Sequence, residues 1–183
     1  MRASYAAALC RFGHLKMPVF KGDGFVQDDW RNLGQAEVPP PGGKVILPLS
    51  QWQARGGDMQ SDMPLGLLIE PGQDVGTIAP DLARFALVAV AFPKFTDGRG
   101  YSLARQLRGH FGFAGELRAT GEVLFDQLQL LARCGFDSFE IRDVATLRLL
   151  EAGRRPSLGL FYQPGLGPET LERTRLLARR AVS

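Results

Sequence analysis

Apolar positions in this chain fall into short bounded runs, separated by stretches in which they recur at helical spacing. Six runs read as strands: 45–49, 66–70 (GLLIE), 86–92 (ALVAVAF), 116–120, 138–142 and 158–162. The run 86–92 is continuous and apolar, the pattern of a central strand covered on both faces. Between them, 101–110 carries Leu103, Ala104, Leu107 and Phe111 as a core stripe. The stretch 122–134 puts Leu124, Leu128 and Leu131 on one helical face and Glu122, Asp126, Gln129 and Arg133 on the other. Gly135 follows as its stop. A further helix is expected at 144–151, and shorter helical turns around Trp52 and at 81–84.

Before the first strand, Val19-Phe20 and Phe25-Val26 flank Gly22-Asp23-Gly24, a hairpin signal. Asp28-Asp29-Trp30 reads as a capped turn, with Trp30 packing on the body. The stretch 34–43 contains Pro39-Pro40-Pro41 and reads as a loop. Strands alternating with helices imply βαβ units with right-handed crossovers. The expected fold is therefore α/β: a single domain with a mainly parallel sheet of about six strands, open or forming an incomplete barrel, preceded by a hairpin. That domain is assigned to 17–164. Residues 165–183 are assigned to a basic C-terminal helix, and 1–16 to an unstructured extension or an upstream-start artefact.

Composition narrows the function. The 183 residues are 45% hydrophobic and 22% charged, which excludes wholesale disorder. The net charge is +3, yet Arg2, Arg11 and Lys16 lie in the first sixteen residues without any acid, so the remainder is balanced. A nucleic-acid binder needs a basic stripe on the folded domain, and no nucleic-acid partner is expected. No apolar run approaches the length that crosses a bilayer, which points to the cytoplasm. Cys10 and Cys134 are the two cysteines, too few for a disulfide framework or a Cys₄ zinc site. No histidine or paired-carboxylate spacing argues for a metal. Cys134 reads as a small buried hydrophobe, and Gln127, on the line of Leu131 and Cys134, as a half-buried hydrogen-bonding residue.

Ligands of parallel sheets bind beyond the carboxyl ends of the strands, which selects the loop 93–100, PKFTDGRG. Thr96 or Asp97 can cap the helix that follows. Gly98 and Gly100 permit unusual backbone conformations and close approach to a ligand. The helix N-terminus offers free N–H groups, and Lys94 and Arg99 add positive charge. The combination suits a small oxyanion such as sulfite, sulfate or phosphate; a capped turn with solvated Lys and Arg is the competing reading. Glu116 and Arg118, and likewise Glu140 and Arg142, alternate along two strands. If those strands are neighbours, one face carries a cross-strand Glu–Arg network, and Arg118 or Arg142 can join the anion crevice.

The strings FPKFTDGRGYSLARQLR (92–108), GELRATGEVLFDQL (115–128) and RCGFDSFEIRD (133–143) resemble a bacterial family of unknown function whose members are commonly described as probable oxidoreductases of sulfite reduction. GDGFVQDDW (22–30) and FYQP (161–164) resemble its ends, so the likeness covers about 17–164. The matching positions include Lys94, Thr96, Asp97, Gly98, Arg99, Gly100, Tyr101, Arg118, Asp126, Gln127, Cys134 and Glu140. The resemblance implies a place in assimilatory sulfate reduction beside sulfite reductase; it brings no established catalytic residue. A redox enzyme needs a carrier, and the chain shows no dinucleotide fingerprint and no evident cofactor site. A flavin held by strand-end loops remains compatible, since flavodoxin-like sheets bind one without GxGxxG.

Two readings follow. One is an accessory component of sulfite reduction that binds sulfite, sulfate or an anionic intermediate, or docks on the reductase as an adaptor. The other is a cofactor-free α/β enzyme acting on a phosphorylated or sulfated metabolite, with Asp97 or Tyr101 moving protons.

Overall fold

The computed structural model describes residues 17–34, 37–38, 40, 42–55 and 63–156. The hairpin forms as expected, from β1 (Val19–Lys21) and β2 (Gly24–Val26). Trp30 sits in a third strand, β3 (Trp30–Asn32), rather than in a capped turn. There follow β4 (Lys44–Pro48), α1 (Leu49–Arg55), β5 (Leu65–Ile69), a 3-10 segment (Val75–Arg84) and β6 (Phe85–Phe92). The chain continues through α2 (Arg99–Gly109), β7 (Glu116–Gly121), a 3-10 turn (Phe125–Gln127), α3 (Leu128–Arg133), β8 (Ser138–Glu140) and α4 (Val144–Glu151). The expected strand at 158–162, the C-terminal helix and the 1–16 extension lie outside the described residues.

The eight strands among the described residues belong to one mixed sheet, more than the six expected, in the order β2-β1-β8-β7-β6-β5-β4-β3. Pairing from β3 through β8 is parallel, whereas β1 is antiparallel to both β2 and β8. The hairpin thus extends the sheet instead of standing apart from it. The parallel strands follow one another in sequence order without reversal. Right-handed crossovers then carry every connecting helix to the same side of the sheet. The core agrees: Trp52, Ile78, Leu103, Leu107, Leu131 and Leu147 cluster with Leu47, Leu67, Val88, Val90, Leu117 and Phe139.

The other face is closed by curvature. β2 and β3 are the two edges, seven inter-strand spacings apart, about 34 Å in a flat sheet. Only Gln27-Asp28-Asp29 joins them, and four Cα steps span at most about 15 Å. The sheet therefore rolls into a half-barrel. Inside the roll, Ile46, Leu87 and Ala89 are buried together with Trp30 and Leu68. A Cβ on Gly66 would stand 2.9 Å from Ile46 Cγ1 and 3.1 Å from the Trp30 ring. The apolar run of β6 is covered on both sides as its sequence predicts, on one side by helices and on the other by the roll.

The stretch 122–134 departs most from expectation. Its helix begins at Leu128 because 121–127 is used to tie two loops together. Gly121 adopts φ +107° at a point where the Phe92 carbonyl leaves no room for a Cβ. The Glu122 N–H donates to Phe92 O (2.8 Å), and the Glu122 carboxylate accepts from the Phe95 N–H (3.1 Å). The late start changes which side chains face inward: Gln129 is buried and Leu130 is half exposed.

A Cβ at Gly121 would sit 2.3 Å from Phe92 O in a backbone region closed to L side chains. Gly121→Ala is expected to destabilise the fold by about 3 kcal/mol or more. Gly98 has φ −74° and open space around it, so Gly98→Ala is expected to stay within about 0.5 kcal/mol of the parent. Urea unfolding of both variants checks the contrast.

Candidate functional site

On β7, Leu117 and Ala119 enter the helical core, so Glu116, Arg118 and Thr120 face into the roll. On β8, Phe139 does the same and turns Ser138 and Glu140 inward. The register sets Arg118 opposite Ser138. The expected Glu and Arg groups share one face, but each arginine pairs with the glutamate two residues before it (Arg118 with Glu116, Arg142 with Glu140), and the links across β7 and β8 run through the Ser138 and Thr120 hydroxyls, with Asp28 and Lys21 as members the sequence did not reveal. Arg118, whose side chain is 5% exposed, donates from Nη2 to Glu116 (2.9 Å) and from Nη1 to Asp28 (3.0 Å). The Ser138 hydroxyl donates to Glu116 Oε1 (2.7 Å), and Lys21 reaches Glu116 Oε2 (2.6 Å). Burial pushes the Glu116 carboxyl up, but hydrogen bonds from Lys21, Ser138 and Arg118 outweigh it and hold the group at about 2. Two cations and two carboxylates make this cluster neutral.

One step toward the strand ends, Thr120 Oγ1 donates to Glu140 Oε2 (2.8 Å). Glu140 Oε1 accepts from both Nε (2.9 Å) and Nη2 (2.8 Å) of Arg142. The Arg142 side chain is 51% exposed. Above these groups opens a crevice of about 240 Å³ at the carboxyl ends of the strands. Ile46, Leu68, Ala89 and Ala91 form an apolar wall; Arg118, Thr120, Glu140 and Arg142 form the polar one. Asn32, Phe92, Pro93 and Gly121 complete the lining. Barrel-like parallel sheets keep their ligand sites at this end. The sheet lacks the strand-order reversal that creates the cofactor crevice of a doubly wound sheet.

Of the expected anion-binding residues, Arg118 and Arg142 line this crevice. Lys94, Thr96, Gly98, Arg99 and Gly100 do not; their loop meets it through Pro93. Gly98, and not Thr96 or Asp97, is the N-cap of α2. Asp97 accepts from the Arg99 backbone N–H (3.1 Å) and pairs with its guanidinium (2.7 Å). Arg99 is 65% exposed. Neither glycine has positive φ. Gly100 serves packing instead: a Cβ there would stand 2.5 Å from the Phe92 ring.

The two proton-transfer candidates are poorly tuned for that work at neutral pH, where an acid or base acts best with a pKa near the working value. The hydrogen bond from Arg99 holds Asp97 at about 2. Burial, then the nearby Cys134 and Asp126 groups, raises Tyr101, whose ring packs edge-on against Phe92 at 5.5 Å. Cys134 is buried and its thiol is pushed up by that burial. Gln127 is half-buried; it donates to Phe95 O (2.8 Å) and accepts from the Leu124 N–H (3.2 Å), while Asp126 is exposed. No group of His, Cys, Asp or Glu among the described residues is arranged to hold a metal. No helix among them is long and apolar enough to cross a membrane.

Asp28, Lys21 and Ser138 were not legible as site residues. Asp28 lies 90 positions from Arg118, and no local pattern marks such a pairing. Ser138 carried a weak signal, since it alternates with Phe139 on a strand whose next inward residue is Glu140.

Residues 66–170 match the model of a family described as a bacterial protein of unknown function, DUF934. A search of curated proteins finds no match.

The depressed Glu116 pKa links stability to acid. Its contribution is complete above the ordinary value of 4.5, declines as the pH falls below it and is gone below about 2. Glu116→Gln is therefore expected to lower the urea midpoint most at neutral pH, with the gap to the parent closing between pH 4.5 and about 2. A gap independent of pH would refute the assignment.

Proposed function

We propose, for a chain that belongs to the DUF934 family of bacterial proteins, that it is a cytoplasmic component of sulfite reduction which binds a small oxyanion at the strand-end crevice. The pathway rests on the resemblance carried by FPKFTDGRGYS and its companion strings. The binding reading rests on one observation: Arg142 stands at the polar wall of the crevice with a single carboxylate oxygen engaging Nε and Nη2. Its remaining donors suit sulfite or sulfate, which guanidinium groups hold through parallel N–H bonds. Arg118 is committed to Glu116 and Asp28 and supplies a fixed wall rather than a free donor.

In this reading the protein presents an anion, or docks on sulfite reductase, without a cofactor of its own. A flavin would appear as a visible absorbance band in the purified protein. The alternative of proton transfer on a phosphorylated or sulfated metabolite gains little, because Asp97 and Tyr101 are displaced from the neutral range in opposite directions.

Thermal unfolding in sulfite or sulfate, against chloride at equal ionic strength, tests the binding. At ten times the Kd, mass action gives about 1.4 kcal/mol, or roughly 3–6 °C in Tm. The shift is expected to vanish in Arg142→Ala and to persist in Arg99→Ala. No shift in the parent overturns the reading, and loss in Arg99→Ala alone moves the site to the α2 loop. A deletion strain growing equally on sulfate and on cysteine would remove the pathway assignment.

A further inference from the structure

The crevice at the strand ends owes its room to β6. Val88 and Val90 enter the helical core, so Leu87, Ala89 and Ala91 face into the roll. Leu87 is fully buried, whereas the two alanines present only methyl groups where the crevice opens. The register sets Leu68 beside Ala89 on one side, and Arg118 and Thr120 beside Ala89 and Ala91 on the other. A hydrocarbon wall of Leu68, Ala89, Ala91 and Pro93 thus faces Thr120, Glu140 and Arg142. Every one of these residues has described neighbours on both sides in the chain.

Size and charge both argue for more than an inorganic ion. A sulfite or sulfate ion takes the room of about two waters, ~60 Å³. The crevice holds about 240 Å³, so ~180 Å³ remains, enough for about six further groups of water size. An ion alone at Arg142 leaves the hydrocarbon wall against water, and covering that wall is favourable in proportion to the apolar area removed. The charges of the lining are already matched. Arg118 and Lys21 stand against Glu116 and Asp28, and Glu140 offsets Arg142. Such a wall suits one negative charge better than two, because Glu140 lies beside the cation that receives it.

Resting on the anion reading of Arg142 above, we propose that the ligand of this crevice is a small organic monoanion. Its oxyanion head meets Arg142, and a hydrocarbon body of about four to six carbons lies over Ala89 and Ala91 against Leu68.

Isothermal titration calorimetry of the full chain with sulfate, methanesulfonate and 1-butanesulfonate, at equal ionic strength, tests this. Affinity is expected to rise in that order. The Kd of butanesulfonate is expected about ten-fold below that of methanesulfonate, since each covered methylene tightens binding by about two- to four-fold. Ala91→Leu fills the space for the body and is expected to bring the two sulfonates within about two-fold of each other, with sulfate binding kept. Leu68→Ala removes part of the wall without narrowing the crevice. It is expected to weaken butanesulfonate by about three-fold and to leave methanesulfonate little changed, which gives a second readout should Ala91→Leu not fold. Equal Kd values for the three salts overturn the proposal and leave the anion reading standing. A chain-length preference that survives both substitutions overturns it too, because the hydrocarbon then lies elsewhere. Binding of none of the salts removes the anion reading and this inference with it.

Discussion

Three residues, Gln27-Asp28-Asp29, join the two strands that stand furthest apart in the sheet. A tether that short is incompatible with a flat eight-stranded sheet, and much of the remaining architecture follows from it. The sheet must roll. Because its parallel strands succeed one another in order, the connecting helices lie outside the roll, and among the described residues the inner face is left to side chains. Trp30 and Ile46 cover one half of that face, and a ladder of charged and hydroxyl groups covers the other.

The ladder explains how charge survives inside the roll. Arg118 is among the least exposed charged groups described, and burying it is unfavourable unless carboxylates and hydrogen bonds surround it. Glu116 comes from its own strand, while Asp28 is delivered by the tether itself. The same contact that satisfies Arg118 therefore fastens the tether across the inner face. Of the two cations lining the crevice, Arg142 is the more exposed, at 51% of its side chain against 5% for Arg118. The α2 loop follows a similar economy on the outside: Asp97 and Arg99 neutralise each other, which weakens the case for that loop as an anion site on its own.

Patterns spanning a few residues were legible. The hairpin at Gly22-Asp23, the apolar strand expected at 86–92, the helix at 144–151 and the alternation Glu116, Arg118 and Glu140 stand where the sequence places them, whereas Arg142 lies two residues past the end of β8, short of the strand expected to reach it. Readings that depended on long-range geometry were not. Nothing local signals that Trp30 begins a strand, because three residues on an edge carry no periodicity. The helix expected from Glu122 starts late because Glu122 and Gln127 are spent on Phe95, a loop reached only after the chain has folded. A crevice does open at the carboxyl end of the sheet. Its composition shifted from the 93–100 loop to the strand-end arginines, since spacing alone does not say which cations already have partners.

The central claim is that the tether folds across the inner face and meets Arg118 there. A double-mutant cycle with Asp28→Asn and Arg118→Met, measured by urea unfolding, addresses it most directly. Residues in contact within one charge network couple by about 0.5–3 kcal/mol, and a value of about 1 kcal/mol or more is predicted for this pair. Additive losses, with coupling below about 0.3 kcal/mol, would place Asp28 away from Arg118 and leave the rolled sheet without its fastening.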